Sequence, residues 1–275
     1  MPSYKFDQHL VPSVLIDQVF QSTGIYTGND AGVFYAVIDP RKHNISVWRK
    51  TQQNPHVAGR DYRISAIRLG SHFFTNGPMM APPIGNGRFA QVFFIIFPFP
   101  WRPFDRVISG GRLIAVGKGI TKSFFSRIGQ GSFASYTIGY GRLPPGINEG
   151  LSGLVRLVAN GAIVNDADTP GINGAVGIAS WGLCPITPVP TDGWSSEVPY
   201  YDEADEDVLD GLIIAAATQN LGFNAWMAMG MKTVGCTEAV AMDASDSVIC
   251  GTGNVLNISC TALKDDIQRW GLGCF

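Results

Sequence analysis

Hydrophobic and polar residues alternate over short stretches through most of this chain, and a period of two is typical of strands. Glycine and proline interrupt these stretches at short intervals and indicate turns between them. In the first half, the pattern predicts strands over residues 33–40, 45–48, 64–69, 89–99 and 113–116. The second of these strands is predicted to be the hairpin partner of the first.

The second half shows fewer but clearer signals. Residues 119–150 have no clear period, so loops and short strands are predicted there. Residues 154–158 and 162–164 flank Asn160-Gly161, a dipeptide that favours the type I′ turn of a hairpin. Further strands are predicted over 175–179, over a stretch ended by prolines at 185–190, and over 239–242 and 255–260.

Apolar residues at helical spacing predict a short helix over 10–20. Further helices are predicted over about 205–219 and over 224–234. Asn224 is a suitable N-cap for the last helix, and Gly235 is suited to its C-terminal turn. The acidic residues of 197–210 would lie in and before the first turns of the second helix, where the helix dipole favours negative charge. A calcium site is the alternative for this acidic run, but its spacing is not that of an EF-hand loop.

The composition fits a strand-rich globular protein. Of 275 residues, 33 are glycine and 17 are proline, and only 15% are charged, which excludes intrinsic disorder. We therefore predict one strand-rich α+β domain with a mixed sheet and a few helices. Residues 1–30 are predicted to form an N-terminal docking segment, and residues 31–275 the main domain.

Charge is distributed unevenly along the chain. Residues 1–142 carry 16 Lys/Arg and 6 Asp/Glu, a balance of +10, whereas residues 143–275 carry 4 and 16, a balance of −12. This asymmetry could steer an anionic ligand to the first half or let copies of the chain stack head to tail. Alternatively, the two halves interleave and their charges mix. The basic residues are scattered rather than clustered and the isoelectric point is about 6.1, so we do not expect nucleic-acid binding.

The sequence lacks the signals that are typical of several classes of protein. The most apolar run, residues 92–100, contains two prolines and is far shorter than the ~20 residues of a membrane span. The first 20 residues do not resemble a secretion signal, so synthesis in the cytoplasm is expected. Five cysteines form no C-x-x-C pair, and buried free thiols are expected, with a disulfide among the last four as the alternative. No P-loop or zinc-protease motif is present, and no cofactor or metal is predicted.

One stretch carries candidate chemistry. A helix, a Gly-Cys turn and a short apolar strand lead to Asp243, which small residues follow up to Ser247. Such a strand would deliver Asp243 to the end of a sheet, where a carboxylate can act as an acid, base or nucleophile. An aspartate at a strand end also commonly serves only as a turn residue.

These residues belong to the last of five stretches that resemble motifs of the phosphodiester glycosidase family. The five stretches follow one another in the same order as the family's motifs. Residues 33–48 resemble its opening hairpin, and residues 66–78 its Asn-Gly-x-Phe-Phe…Gly-x-Pro region. Residues 152–161 resemble its Gly-Gly-x-x-Leu-Val-x-x-Gly hairpin, and residues 173–178 its Arg-Thr-Ala-Ile-Gly strand. Residues 219–247 resemble its helix, Leu-Gly-Cys-x-x-Ala turn and Leu-Asp-Gly-Gly-Gly-Ser loop. The resemblance implies the family's fold and cleavage of a sugar-1-phosphodiester.

The sequence departs from the family at three polar positions. The glycines of the Asp-Gly-Gly-Gly-Ser loop are replaced between Asp243 and Ser247, the arginine before the Ala-Ile-Gly strand is Asn173, and the asparagine before Phe-Phe is Gly70. Loss of these glycines would change the loop path. The lost arginine is a natural clamp for phosphate. A scaffold that is kept while its site erodes indicates reuse for another purpose.

If the site is active, the resemblance makes Asp243 the catalytic carboxylate and Asp246 a second one. Ser247 and Asn173 would then contact the sugar or its phosphate. His72 could hold phosphate or carry a proton, and Arg68 could replace the missing clamp. Both residues could equally be ordinary packed or exposed side chains.

Three functions follow from these observations. The first is a structural or surface component of a virion or other large assembly, whose partners are copies of itself or other particle proteins. The second is an active phosphodiester glycosidase. The third is a carbohydrate-binding module, for which the abundant aromatic residues could stack on a glycan.

Overall fold

A computed structural model describes residues 10–30, 33–49, 70–78, 80–81, 102–103, 105–117, 122–164, 183–189, 211–218, 224–236, 238–242, 249–252, 255–258 and 270–275. Most of these residues lie in strands, which form three large sheets and one two-stranded ribbon. The predicted strands at 64–69, 89–99 and 175–179 and the acidic run 197–210 fall outside the described ranges.

The first large sheet has the strand order β1-β2-β14-β13. Its strands are β1 (Ile25–Asp30), β2 (Val33–Ile38), β13 (Leu183–Val189) and β14 (Leu212–Thr218). The five-stranded sheet has the order β17-β16-β4-β18-β3. Its strands are β3 (Ile45–Arg49), β4 (Phe73–Asn76), β16 (Cys250–Thr252), β17 (Val255–Ile258) and β18 (Trp270–Cys274).

The seven-stranded sheet has the order β10-β9-β11-β7-β8, with β12 and β15 also paired to β11. Its strands are β7 (Arg106–Ser109), β8 (Arg112–Val116), β9 (Lys122–Ile128), β10 (Ser135–Gly141), β11 (Glu149–Ala159), β12 (Ala162–Ile163) and β15 (Ala239–Ala241). The ribbon pairs β5 (Met80–Ala81) with β6 (Arg102–Pro103).

Helices are few in the described part of the chain. They are α1 (Leu10–Leu15), α2 (Gln18–Thr23), α3 (Asn224–Thr233) and a 3₁₀ turn at Gly131–Phe133. The Asp17 carboxylate accepts a hydrogen bond from the Phe20 N–H and caps α2, and Gly24 ends that helix with a positive φ. No described helix is long and apolar enough to cross a membrane.

The strand-rich character that we predicted is therefore confirmed, with few helices beside three sheets. Every strand pairing among the described residues is antiparallel, which differs from the mixed sheet that we predicted. Several local predictions are also confirmed. Asn160 and Gly161 both have positive φ in the β11–β12 turn, and α3 ends before Gly235, whose φ is also positive.

The predicted hairpin between residues 33–40 and 45–48 is wrong. Strand β2 pairs with β1 and β14, whereas β3 pairs with β18 in a different sheet. The intervening turn diverts the chain because its side chains are bound locally. Asp39 is fully buried and binds Arg41, and His43 contacts the Thr23 carbonyl. Strand identity was therefore predictable here, but the pairing was not.

The predicted helix over residues 205–219 is wrong for its described part, which is strand β14. This strand lies between β2 and β13, and its residues from Leu212 to Ala215 are buried. Burial on both faces makes a strand continuously apolar, so its period of two cannot be seen in the sequence.

Two further stretches contain more strand than predicted. Residues 122–128 and 135–141 form the long antiparallel pair β9–β10 within a region that we predicted as loops and short strands. Strand β13 continues through Pro185 and Pro188 instead of ending there. It is the last of the described strands in its sheet, a position where proline is tolerated, and its register shifts between Leu183 and Ile186.

A central buried cluster joins the sheets. It includes Val107 of β7, Leu154 of β11, Phe73 of β4 and Met242 after β15. The cysteines whose side chains are described, Cys236, Cys250 and Cys274, are buried, and burial raises the pKa of the Cys274 thiol. The predicted burial of the cysteines is therefore confirmed at these three positions.

Side chains of the seven-stranded sheet also bind the outer edge of β3. The Ile45 N–H donates to the Tyr136 hydroxyl and the Val47 N–H donates to Glu149 Oε2, each at 2.9 Å. The Ser109 hydroxyl donates to the Val47 carbonyl at 3.0 Å. These bonds satisfy backbone groups that an edge strand would otherwise expose, and they tie two sheets together.

Candidate functional site

The predicted site residues divide into one that the structure describes and five that it does not. Asp243, Asp246, Ser247, Arg68 and Asn173 lie outside the described residues. His72 lies within them, and so do both residues that flank 243–248, namely Met242 and Ile249. The roles of all six residues remain predictions, and the described geometry concerns the frame around them.

The two flanking residues belong to different sheets. Met242 follows β15, which pairs with β11, and Ile249 precedes β16, which pairs with β4. Both side chains are fully buried. The described residues on either side of 243–248 therefore belong to different sheets, and the strand-end position of Asp243 stays a prediction.

Asn76 forms two hydrogen bonds with Ile249, the second of these flanking residues. Its N–H donates to the Ile249 carbonyl at 3.0 Å, and the Ile249 N–H donates to its Oδ1 at 3.2 Å. Asn76 is itself completely buried at the end of β4. Sequence reasoning missed this residue, although a polar asparagine two positions after the apolar pair Phe73-Phe74 was a usable signal.

His72 lies at the opposite end of β4 from Asn76. Four residues of extended strand separate the two, which corresponds to about 13 Å. The His72 N–H donates to the Cys274 carbonyl at 2.8 Å, so this residue is anchored to the last strand of the chain. The structure thus places His72 away from the Ile249 end of the 243–248 segment.

The His72 ring contacts a second histidine. Its centroid lies 4.9 Å from that of His43 in an edge-to-face arrangement. His43 is buried, and its Nε2 lies 2.7 Å from the Thr23 carbonyl, so Nε2 carries a proton. Burial and the neighbouring His43 lower the pKa of His72, which favours a neutral ring.

A buried carboxylate that the sequence analysis did not select lies at the beginning of β7. Asp105 precedes β7, and its Oδ2 accepts a hydrogen bond of 2.8 Å from the Ser152 hydroxyl. Ser152 is fully buried in β11 and also accepts the Arg106 N–H at 2.9 Å. Strand β15 pairs with β11 further along, where Ala241 is opposite Val155.

The remaining buried or half-buried acidic side chains described outside α2 are paired with arginine. Asp39 pairs with Arg41, and Glu149 lies 3.6 Å from Arg127. Glu238 binds Arg156, whose pKa is lowered by burial. Within the described residues, no group of three or more His, Cys, Asp or Glu side chains could hold a metal ion.

The described architecture is that of a strand-rich domain, and its fold is similar to that of a phosphodiester glycosidase catalytic domain. The catalytic domain of zebrafish N-acetylglucosamine-1-phosphodiester alpha-N-acetylglucosaminidase, auto-inhibited by its pro-peptide, matches with a TM-score of 0.55 and 14% identity over 90% of this chain and 80% of that chain. A protein from Burkholderia pseudomallei matches with a TM-score of 0.52 and 13% identity, over 88% of this chain and 73% of that one.

Sequence comparisons add no relative to these structures. No protein-family model matches the chain, and no curated protein matches it at a significant level. At 13–14% identity the structural likeness shows a related fold alone. A distant relationship to phosphodiester-glycosidase-like domains is therefore supported, whereas the roles of individual residues are not.

Proposed function

We propose that this chain is a structural or surface component of a large assembly, such as a virion, built on a phosphodiester-glycosidase-like domain. The observation that carries the proposal is an apolar surface on β8. Leu113, Ile114 and Val116 are 53%, 41% and 51% exposed. Three large apolar side chains exposed on one five-residue strand favour a contact with another molecule.

The position of β8 supports the same role. Among the described strands it is the terminal strand of the seven-stranded order, where it pairs with β7. Terminal strands are the part of a sheet that most readily associates with a further chain. Ile114 has no opposite residue in the β7 register, because a bulge between Val107 and Ile108 leaves it unpaired across the hairpin.

A second copy of this chain is the partner that the charge pattern favours. Arg106 and Arg112 add positive charge to the β7–β8 hairpin, and the first half of the chain carries a balance of +10. The second half carries −12, including seven acidic residues within 197–210. Opposite charges on the two halves would favour head-to-tail contacts, which build rings or filaments.

Light scattering coupled to size-exclusion chromatography tests this role. We expect the natural chain to run well above its monomer mass of 29.6 kDa. Leu113→Lys places a charge within the apolar surface, so we expect it to shift the protein towards the monomer. Val255→Lys is the matched control, because Val255 is equally exposed but lies on β17. A natural chain that remains monomeric at about 100 μM would contradict the proposal.

A second candidate function is hydrolysis of a sugar-1-phosphodiester, as the name of the zebrafish enzyme describes for that protein. The observation in its favour is that Met242 and Ile249 are firmly held on two sheets and flank the segment that carries Asp243. The β8 surface and this segment involve different strands, so one protein could have both functions.

Release of the chromophore from a chromogenic N-acetylglucosamine-1-phosphodiester tests this candidate. We expect the natural chain to hydrolyse it and Asp243→Asn to lower kcat by about 100-fold or more, as for loss of a catalytic carboxylate. Hydrolysis that Asp243→Asn leaves unchanged would exclude that residue as the catalytic group. Binding of the sugar phosphate without any turnover would instead favour a carbohydrate-binding module.

A further inference from the structure

The turn between β9 and β10, residues 129–134, projects an aromatic side chain into solvent. Phe133 is 90% exposed, and Ile128, which directly precedes the turn, is 47% exposed. No residue from Ile128 to Ala134 carries a charge. Isolated exposed apolar side chains are common on protein surfaces, so the way in which this turn is held decides what Phe133 can do.

Side chains from two distant segments hold the turn in place. The Gly129 N–H donates to Asn148 Oδ1 at 2.7 Å, and the Gly131 N–H donates to Asn44 Oδ1 at 2.9 Å. Both glycines have positive φ, which other residues rarely adopt. The backbone that carries Phe133 is therefore ordered before any contact forms, and an ordered anchor loses little entropy when it binds.

The surface that fits such an anchor lies on the β7–β8 hairpin of the same chain. Leu113 is opposite Ile108 in the register and Val116 is opposite Arg106, and directly opposite residues share one face of a sheet. Leu113 and Val116 are about half exposed. The side chain of Arg106 forms no ion pair within the part of the chain that the structure describes.

Charge complementarity favours an uncharged aromatic partner for this face. The face of an aromatic ring carries negative potential and attracts a guanidinium, while the ring carbons pack on leucine and valine. Arg106 would repel a partner that brings lysine or arginine to the contact. The turn around Phe133 brings an aromatic ring and no charge of either sign.

Phe133 does not reach the β8 surface of its own chain. Strands β9, β11, β7 and β8 are successive neighbours, so three spacings of about 4.8 Å, or about 14 Å in all, separate β9 from β8. Phe133 and Leu113 are also both exposed in the single chain. A contact between these two surfaces therefore requires two copies of the chain.

The two surfaces keep a fixed relation to each other within one copy. Asn148 binds the β9–β10 turn through its side chain, and its carbonyl accepts the Gly111 N–H of the β7–β8 turn at 2.8 Å. Each contact between copies would therefore repeat with the same rotation. Repetition of one head-to-tail contact builds a ring or a filament.

We propose that Phe133 of one copy packs on Leu113 and Val116 of the next copy, beside Arg106, in a head-to-tail contact. This inference rests on the proposed assembly and names the two surfaces that meet in it. The contact is heterologous, because the turn of one copy meets a different surface on the other. A symmetric contact between two β8 surfaces would instead stop at a dimer.

Light scattering of two variants, alone and mixed, tests this contact. Phe133→Ser removes the projecting ring and keeps β8, whereas Leu113→Lys blocks β8 and keeps the ring. At about 100 μM we expect each variant alone to be a monomer, because each lacks one half of every contact. Mixed in equal amounts, they should form a capped pair of twice 29.6 kDa, since each supplies the half that the other lacks.

Two further variants sharpen the test. Tyr140→Ser is the matched control, because Tyr140 is a 78% exposed aromatic residue on β10 outside the turn, and it should assemble like the natural chain. Adding Arg106→Gln to the Phe133→Ser chain should weaken the capped pair roughly two- to fivefold, as expected for loss of a cation–π contact at an exposed site.

The outcomes separate this inference from the proposed assembly. A natural chain that stays monomeric would overturn both. Assembly of Phe133→Ser, whether to the mass of the natural chain or to a dimer through β8 alone, would overturn only the role of Phe133. A mixture that stays monomeric while circular dichroism shows both variants folded would also overturn it, because the ring and β8 would then not meet.

Discussion

His72 contacts two distant parts of the chain, one through its backbone and one through its ring. Its ring is exposed, but its backbone is bound to Cys274 and its ring contacts His43. The contact joins the β2–β3 turn to the beginning of β4, and His43 extends it to the Thr23 carbonyl at the end of α2. Protonation of His72 would place a positive charge beside a second imidazole within this junction.

This contact predicts a pH dependence of stability. Burial and His43 lower the pKa of His72 in the folded chain below the unfolded value of 6.5. The fold therefore disfavours the protonated ring, so its contribution to stability is complete above pH 6.5 and decreases as the pH falls below that value. Because the ring is largely exposed, the effect should be less than about 1 kcal/mol.

Urea unfolding of the natural chain and His72→Gln at about pH 7.5 and about pH 5 measures this effect. The natural chain should lose more unfolding free energy than the variant over that interval. An equal loss in both proteins would show that the His43–His72 contact does not affect stability. The variant keeps the backbone bond to Cys274, so a difference would come from the ring.

The residue scale also shows which site residues were accessible to sequence reasoning. Asp243 was selected because an apolar strand precedes it and because the surrounding motif resembles a known family. Asp105 follows no motif, and nothing local to it indicates that its partner, Ser152, lies 47 positions further along the chain. Buried polar pairs of this kind arise from the packing of strands that are distant in sequence, so only the tertiary structure reveals them.

At the scale of elements, the edge of β3 shows how two sheets are joined. Glu149 binds the Val47 N–H with one carboxylate oxygen, and its other oxygen binds the Gly110 N–H and lies near Arg127. Tyr136 binds the neighbouring outward N–H of Ile45, and burial is the main cause that raises the pKa of its hydroxyl. Side chains thus replace a further strand at this edge.

This arrangement predicts a large cost for Glu149→Gln. The substitution removes the charge that compensates Arg127, which is itself buried, and places an amide NH₂ where one backbone N–H must donate. We expect a loss of about 3 kcal/mol or more in unfolding free energy, as for other broken buried pairs. Tyr136→Phe, which removes one hydrogen bond, should cost about 1 kcal/mol.

Chemical denaturation of both variants provides the measurement, with the midpoint and slope reported separately. A cost for Glu149→Gln no greater than that of Tyr136→Phe would show that the carboxylate does not hold β3. A changed slope in Glu149→Gln alone would indicate that the two sheets no longer unfold together.

The elements also show where sequence patterns succeed and fail. Strands that follow a turn signal, such as β8 after Gly110-Gly111, and hairpins with a defined turn, such as β11–β12, were predicted because their signals are local. Strand β14 was predicted as a helix because both of its faces are buried and it lacks alternation. Strands β2 and β3 were predicted correctly but paired wrongly, because their partners β14 and β18 come from more than 170 positions away.

At the scale of the whole molecule, the two proposed functions involve different strands. The β8 surface is apolar and flanked by arginine, whereas the described residues on either side of 243–248 belong to β15 and β16 or lie next to them. The proposed assembly and the proposed hydrolysis therefore have independent tests.

The sequence by itself determined that the protein is rich in strands, has few helices, and carries a family-like segment ending in Asp243. These properties depend on local alternation, turn residues and motif order, which are readable along the chain. The tertiary structure alone decided which strands pair, that Asn76 binds Ile249, and that Asp105 lies against Ser152. Pairing depends on buried contacts between distant segments, and local sequence does not encode the choice among many similar apolar strands.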